Sequence, residues 1–149
     1  MLSDGGIPGY RLGLISQVQA LTQKGDANAL GDLVALFGGH VKTFRQADAM
    51  PGPTEFYDRF LGVLTNGAAT GQEPADTPCT VFTQGQVLYP LDVPAAQAWP
   101  VGTYVKAADD ARVAVDPTAN LSTMVGKVCV PVSAGATEVY FELRSRVMS

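Results

Sequence analysis

The sequence predicts an all-β domain, a small β-barrel or sandwich of about eight short strands, preceded by an extended N-terminal arm. Two observations carry this prediction. Sixteen Gly and ten Pro residues occur in a chain of 149, and together they are well above the average share of Gly plus Pro, about 12 %. So many turn-forming residues favour short strands joined by turns. In addition, no stretch alternates strands with helical patterns of about 10–15 residues, which disfavours a doubly wound sheet.

The predicted boundary between arm and domain falls after residue 28, with residues 1–28 as the arm and 29–149 as the barrel-like domain. The first nine residues are rich in Gly and are expected to be extended. Leu12 and Leu14 then alternate as in a strand, whereas Leu14, Val18 and Leu21 also fit a helical stripe. Both interpretations remain open for this segment.

The domain contains runs of strand character separated by turn signals. They are residues 32–37, 40–45, 60–64, 79–83, 86–91, 101–106, 112–115, 124–130 and 137–145. Gly38-Gly39 and Gln84-Gly85 each predict a hairpin. An irregular period in residues 40–45 suggests a bulge, and Gly62 suggests a close backbone approach. One short helix is expected either near residues 116–123 or in the N-terminal stretch.

Composition excludes several classes of protein. The net charge is −4, the pI is about 4.7 and no block of Lys or Arg occurs, so nucleic-acid binding is not expected. No apolar run approaches the ~18 residues that a membrane span needs. The N-terminus lacks the basic and apolar regions of a signal peptide, so synthesis in a host cytoplasm is expected.

The residues that usually carry chemistry form no recognisable catalytic or metal pattern. His40 is the only histidine. It is interpreted as an exposed turn residue, because the sequence has neither the Gly-x-Ser-x-Gly motif of a serine nucleophile nor a catalytic cysteine motif with which a histidine could act. Cys79 and Cys129 stand far apart in apolar runs. They are interpreted as small buried hydrophobes, with a disulfide as the alternative.

Carboxylates offer two weaker candidates. Asp109, Asp110 and Asp116 bracket a short strand, but their spacing matches no calcium loop and favours exposed turns. Glu138 and Glu142 share one face of a strand, where a solvated face is favoured over a glycosidase pair. The sequence therefore predicts a protein that is not an enzyme and has no cofactor and no metal site.

Trp99, the only tryptophan, lies in an Ala- and Pro-containing loop. It fits either a core plug at one end of the barrel or an interface anchor, since Trp is enriched at binding hot spots. A row of Trp99, Tyr89 and Tyr104 would also suit a carbohydrate-binding β-sandwich, which is kept as an alternative.

Several segments resemble the small head-decoration, or capsid-cement, proteins of tailed bacteriophages. The resemblance follows an order of motifs: a Gly-Asp-hydrophobic strand, a Phe-Leu-Gly-Val strand, a Gly-x-x-Val strand, a hydrophobic-Gly-x-Val strand and a closing strand that ends in Leu. These are residues 31–41, 58–68, 99–105, 125–128 and 139–143. The first 30 residues lie outside the resemblance.

The resemblance implies a structural protein without catalytic activity that binds the outer surface of the assembled capsid and bridges subunits of the major capsid protein. It also implies self-association as a trimer or dimer. We expect the interface residues to include Tyr10, Leu12, Leu14, Ile15 and Trp99. The arm is hypothesised to add a strand to a neighbour's sheet edge. Another virion subunit, at the head–tail junction or in the tail tube, is the remaining alternative.

Overall fold

The computed structural model describes residues 17–49 and 52–147. In this part of the chain ten strands form two five-stranded sheets, which confirms the all-β prediction. Each of the nine runs expected in the domain contains a strand, and the tenth strand lies within the predicted arm. Four of the expected interface residues, Tyr10, Leu12, Leu14 and Ile15, lie outside the described residues.

The strands and helices follow one another in an order that separates the two sheets along the chain. They are β1 (Gln17–Thr22), β2 (Leu33–Phe37), β3 (His40–Thr43), α1 (Phe44–Ala49), α2 (Pro53–Asp58), β4 (Phe60–Asn66), β5 (Thr77–Phe82), β6 (Gln86–Pro90), β7 (Tyr104–Ala107), β8 (Val113–Asp116), β9 (Gly126–Val128) and β10 (Glu138–Leu143). A single 3-10 turn at Leu121–Thr123 agrees with the short helix expected near residues 116–123.

The first sheet is a closed barrel with the strand order β1-β3-β2-β4-β5. It closes through antiparallel pairing of β1 with β5, from Gln17 opposite Phe82 to Thr22 opposite Thr77. Residues 17–22 are therefore a strand of the barrel, although the predicted arm included them. For these residues the strand interpretation holds and the helical stripe is wrong, because the pairing with β3 and β5 fixes an extended backbone.

One of the two predicted hairpins is present. Gly38 and Gly39 have positive φ angles of 60° and 91° and connect β2 to β3, which pair antiparallel. The hairpin predicted at Gln84-Gly85 is wrong, because β5 is flanked by β1 and β4 on its two edges. The chain consequently crosses at Gly85 into the second sheet, where β6 pairs with β10.

The two short helices were not predicted. Helix α1 begins at Phe44, so the irregular period of residues 40–45 reflects the end of a strand, and the bulge expected there is wrong. A register shift occurs in β4 instead, where Gly62 lies opposite Val34 and Phe60 lies opposite Ala35. Helix α2 starts with Pro53, a favoured residue in a first helical turn because its missing N–H needs no partner there.

Two hydrophobic clusters explain why the apolar runs of β2 and β4 are continuous. One cluster consists of Val34, Val41, Leu61, Leu64, Cys79 and Val81. The larger cluster joins other residues of β2 and β4, including Leu33 and Phe60, to α2 and to the second sheet. Strands β2 and β4 thus contribute residues to both clusters, which leaves no position for an alternating polar residue.

Close backbone approach at Gly62 is confirmed. A Cβ atom at this position would overlap the carbonyl group of Phe82 on β5. Because Gly62 has no side chain, β5 can approach β4 closely at this position, as expected for a glycine inside a strand.

The barrel and the second sheet are also connected by hydrogen bonds. The backbone N–H of Leu33 donates to the backbone carbonyl of Asp110 over 2.7 Å, and the N–H of Arg45 donates to Oδ1 of the same residue over 2.7 Å. The second sheet has the order β6-β10-β9-β7-β8, and β6 and β8 are its edge strands. Its inner face contributes to the larger cluster, and its outer face is the surface considered next.

Candidate protein-binding interface

An apolar row crosses three strands on the outer face of the second sheet. Leu88 on β6 lies directly opposite Tyr140 on β10, and the two residues are 47 % and 44 % exposed. Cys129, which follows β9, donates its backbone N–H to the carbonyl of Tyr140 over 3.1 Å, which places it on the far side of Tyr140. Opposite residues in antiparallel strands project to the same face, so these three residues form one row.

A groove of about 390 Å³ lies along this row. Val130, which is 46 % exposed, lines it together with Leu88 and Tyr140. Scattered exposed apolar residues are normal, whereas a contiguous set in a concave surface is a candidate interaction site. We name the surface formed by Leu88, Cys129, Val130 and Tyr140 the outer patch.

A polar row borders the outer patch on the same face. Gln86 and Lys127 both lie opposite Glu142, and Lys127 also lies opposite Tyr104. The Lys127 ammonium is 5.2 Å from the centre of the Tyr104 ring, within the range of a cation–π contact. An apolar centre with a charged border is the usual arrangement of a protein interface.

The electrostatics of the outer patch keep its thiol neutral. Partial burial raises the pKa of Cys129, and the negative charge of Glu142 raises it further. Since the thiolate is the reactive form, Cys129 acts here as a small apolar residue. It is a free cysteine, as is Cys79, which is buried in the barrel.

Trp99 lies in the loop before β7, where it both packs against the core and lines a surface groove. Its backbone pairs with that of Val132 through two hydrogen bonds of 2.9 Å, and its half-buried side chain packs against the larger cluster. The same residue lines a second groove of about 410 Å³, together with Val101 and Tyr104. One backbone pair links the two linings, because Val132 lines the first groove and Trp99 lines the second.

The aromatic row predicted for carbohydrate binding is wrong. Tyr89 is only 5 % exposed, and its hydroxyl donates a hydrogen bond to the carbonyl of Gly31. Alternation along β6 turns Tyr89 to the core, whereas its neighbour Leu88 faces outward. Trp99 and Tyr104 do line one groove, but Tyr89 takes no part in it.

The other candidate residues have structural partners. His40 is partly exposed, and its Nε2 lies 2.7 Å from Oδ2 of Asp76. Oδ2 of Asp109 accepts from Nε of Arg112 over 2.8 Å, and the buried Asp116 accepts from the backbone N–H of Thr118 over 3.1 Å.

No group of three or more His, Cys, Asp or Glu side chains that would hold a metal ion is found among residues 17–49 and 52–147. Glu138 and Glu142 are exposed on the outer face on either side of Tyr140, the solvated arrangement that the sequence favours. Within the same ranges, the longest helices are far too short to span a bilayer.

Sequence reasoning missed the outer patch. The signal that identifies it is an apolar residue at a solvent-facing position of an alternating strand. Leu88 and Tyr140 both occupy such positions, because the residues two places before and after each of them are exposed on the same face of the strand.

The fold and this surface define a β-structured protein with an exposed apolar face. A family model described as phage cement protein matches residues 20–143. Because the match spans most of the chain, the chain belongs to the phage cement protein family and is a capsid-stabilising structural protein of a bacteriophage virion. No curated protein and no solved structure matches the chain.

Proposed function

We propose that this cement protein binds the outer surface of the assembled capsid and bridges subunits of the major capsid protein through the outer patch. The observation that carries the proposal is the pairing of Leu88 with Tyr140 on a sheet face turned away from the core. Both side chains cost free energy when they face water, and burial against a partner recovers about 25 cal/mol per Å² of apolar surface.

The groove beside Trp99 supplies a second contact region. Val101 is 58 % exposed at its rim, and the rings of Trp99 and Tyr104 form its walls. With two contact regions, one molecule can contact two capsid subunits across their boundary. Simultaneous contacts reinforce each other, since the second contact forms at a high effective concentration once the first is made.

The stabilisation itself follows from mass action. A protein that binds the assembled shell more tightly than it binds free capsid subunits shifts the equilibrium toward assembly. This mechanism needs shape and apolar contact at the interface and needs no chemical step. The proposal therefore assigns the protein no catalytic role.

The test uses capsids that lack the protein, mixed with purified variants and sedimented. We expect Leu88→Asp and Tyr140→Asp each to weaken binding at least tenfold, because each places a charge in the centre of the outer patch. Leu30→Asp is the matched control, since Leu30 is 61 % exposed and is not a lining residue of either groove. Thermal unfolding of each variant verifies that the fold is kept.

Two results would overturn the proposal. Full occupancy of capsids by both outer-patch variants would show that the patch is not part of the interface. Loss of binding by Leu30→Asp alone would show that the interface lies on the barrel. A cryo-EM map of the decorated particle establishes whether the copies lie outside the shell, and light scattering of the purified protein measures whether it is a trimer or a dimer.

A further inference from the structure

The groove along the outer patch contains one charge. Its walls include the apolar side chains of Leu88 and Val130 and the ring of Tyr140. Among the described residues that line the groove, Glu138 alone carries a charge. Glu138 is exposed and lies two residues before Tyr140 on the same face of β10, which places the two residues about 7 Å apart along the strand. The groove thus combines apolar walls with a single carboxylate.

The carboxylate of Glu138 has no cationic partner within the described part of the chain. The ion pairs found among residues 17–49 and 52–147 do not include it. Its neighbour across the strand pair is Pro90 on β6, which has neither a charge nor an N–H. Water solvates this carboxylate as long as the groove is open, but a protein that covers the groove removes the water, and burial of an unpaired charge is costly. A partner that covers the groove must therefore bring a positive charge to this position.

The cations on the outer face lie elsewhere. Lys127 lies opposite Glu142, four residues along β10 from Glu138, a separation of roughly 13 Å. The Lys127 ammonium is 5.2 Å from the centre of the Tyr104 ring, on the side of β9 that is away from β10. Arg144 lies still farther along the chain from Glu138. Because charges in solvent are screened over about 8 Å at physiological ionic strength, these cations leave the charge of Glu138 uncompensated.

We propose that this groove binds the side chain of a basic residue, Arg or Lys, of the major capsid protein, with the charged end of that side chain at Glu138. The inference rests on the proposed function, which assigns the outer patch to the capsid, and it specifies the chemistry of the partner. The methylene stem of Arg or Lys is apolar and its end is cationic, which matches a groove with apolar walls and one carboxylate. The ring of Tyr140 offers a further contact, because a cation is attracted to an aromatic face.

Charge substitutions at Glu138 test this inference. Capsids that lack the protein are mixed with purified full-length variants, and the bound protein is measured by sedimentation at low and high salt concentrations. We expect Glu138→Gln to weaken binding about tenfold at low salt, because it leaves the covered cation of the capsid without its charged partner. Glu138→Lys should weaken binding further, because it repels the same cation. This additional loss should shrink at high salt, where the repulsion is screened.

Glu55→Gln is the matched control. It removes the same charge from an exposed position of helix α2, outside both grooves, and binding should stay at the native level. Native-level binding of both Glu138 variants would overturn the proposal. Equal weakening by Glu55→Gln and Glu138→Gln would also overturn it, because the effect would then come from the overall charge of the protein. Thermal unfolding verifies that each variant keeps the fold.

The outcome is separable from that of the proposed function. If Leu88→Asp and Tyr140→Asp lose binding while the Glu138 variants keep it, the outer patch binds the capsid but the basic partner is wrong. If Leu88→Asp and Tyr140→Asp both bind fully, the proposed function itself fails. Light scattering without capsids tests a different occupant. A change of oligomeric state caused by Glu138→Lys would assign the groove to a second copy of this chain and overturn the proposal.

Discussion

The hydroxyl of Tyr89 donates a hydrogen bond to the backbone carbonyl of Gly31, 58 residues earlier in the chain. Tyr89 belongs to β6 of the second sheet, and Gly31 precedes β2 of the barrel. The ring of Tyr89 also packs edge-on against Phe141, with 6.0 Å between ring centres. One side chain thus packs within the second sheet and connects that sheet to the barrel through a hydrogen bond.

Replacing Tyr89 with Phe tests this connection. The ring packing is kept, but the carbonyl of Gly31 loses a buried donor. We expect a loss of about 1 kcal/mol in the free energy of unfolding, the typical net worth of such a hydrogen bond. Chemical denaturation measures it, with Tyr140→Phe as the exposed control that should be neutral. Equal stability of the Tyr89 variant and the native chain would contradict a role for this bond.

Gly62→Ala should be strongly destabilising. The added methyl group would overlap the carbonyl of Phe82, so β4 and β5 must separate to admit it. We expect a loss of about 2 kcal/mol or more in the free energy of unfolding, within the range for overpacking in a core. Asn66→Ala, at the exposed end of the same strand, is the control and should change stability by less than about 0.5 kcal/mol. A thermally neutral Gly62→Ala variant would show that the strands can separate freely.

Phe56→Ala should cost about 3–5 kcal/mol, as is typical for a fully buried aromatic residue. Phe56 is inaccessible to solvent, and its ring contacts those of Phe44, Tyr57 and Phe60 with centre distances of 5.2–5.9 Å. The substitution removes the centre of the aromatic cluster that joins α1 and α2 to β4. Phe56→Leu keeps most of the volume and should lose clearly less. Similar losses for the two variants would point to ring geometry instead of filled volume.

Asp32 gives the protein a predictable dependence on pH. Burial raises the pKa of Asp32, and the nearby charges of Asp110 and Asp109 raise it further, although the N–H of Ala29 donates to its carboxylate. When the pKa of a carboxyl group is higher in the folded state, its whole contribution to stability is present at pH values below its ordinary, unfolded-state pKa. This contribution is lost as the pH rises through the pKa of the folded state.

Asp32→Asn removes the charge and keeps an oxygen that accepts from Ala29. The variant is therefore expected to be more stable than the native chain at pH 7, and the difference should shrink toward pH 3. Asp76→Asn is the control of opposite sign, because the hydrogen bond from His40 and then that from the Lys24 N–H lower the pKa of Asp76. Urea denaturation at several pH values measures both. A variant Asp32→Asn that is equally destabilised at pH 7 and pH 3 would show that geometry, not charge, governs this site.

The positions of the strands were largely predictable, because alternation and turn residues are local signals. The hairpin at Gly38-Gly39 is an example, since two successive positive φ angles favour glycine whatever surrounds the turn. Residues 40–45 show where local signals fail. Val41 lies in a strand and Phe44 begins a helix, and period alone does not separate the two in so short a segment.

The candidate site was predictable only in part. Trp99 was identified because tryptophan is rare and lies here in an Ala- and Pro-containing loop, and it does line a groove. Leu88 was missed because an apolar residue between Val87 and Tyr89 looks like the middle of a buried strand. Its exposure depends on which face of β6 meets the core, and this is set by pairing with β10, about 50 residues later.

The sequence by itself determined the fold class, the strand positions, the glycine turns and the scarcity of catalytic groups, because each depends on composition or on neighbours within a few residues. Tertiary structure alone decided that β5 and β6 separate into different sheets, that Tyr89 turns inward, and that Leu88 and Tyr140 meet on an exposed face. These outcomes depend on pairings between distant segments, which compete for the same strand edges and are selected by the packing of the whole core.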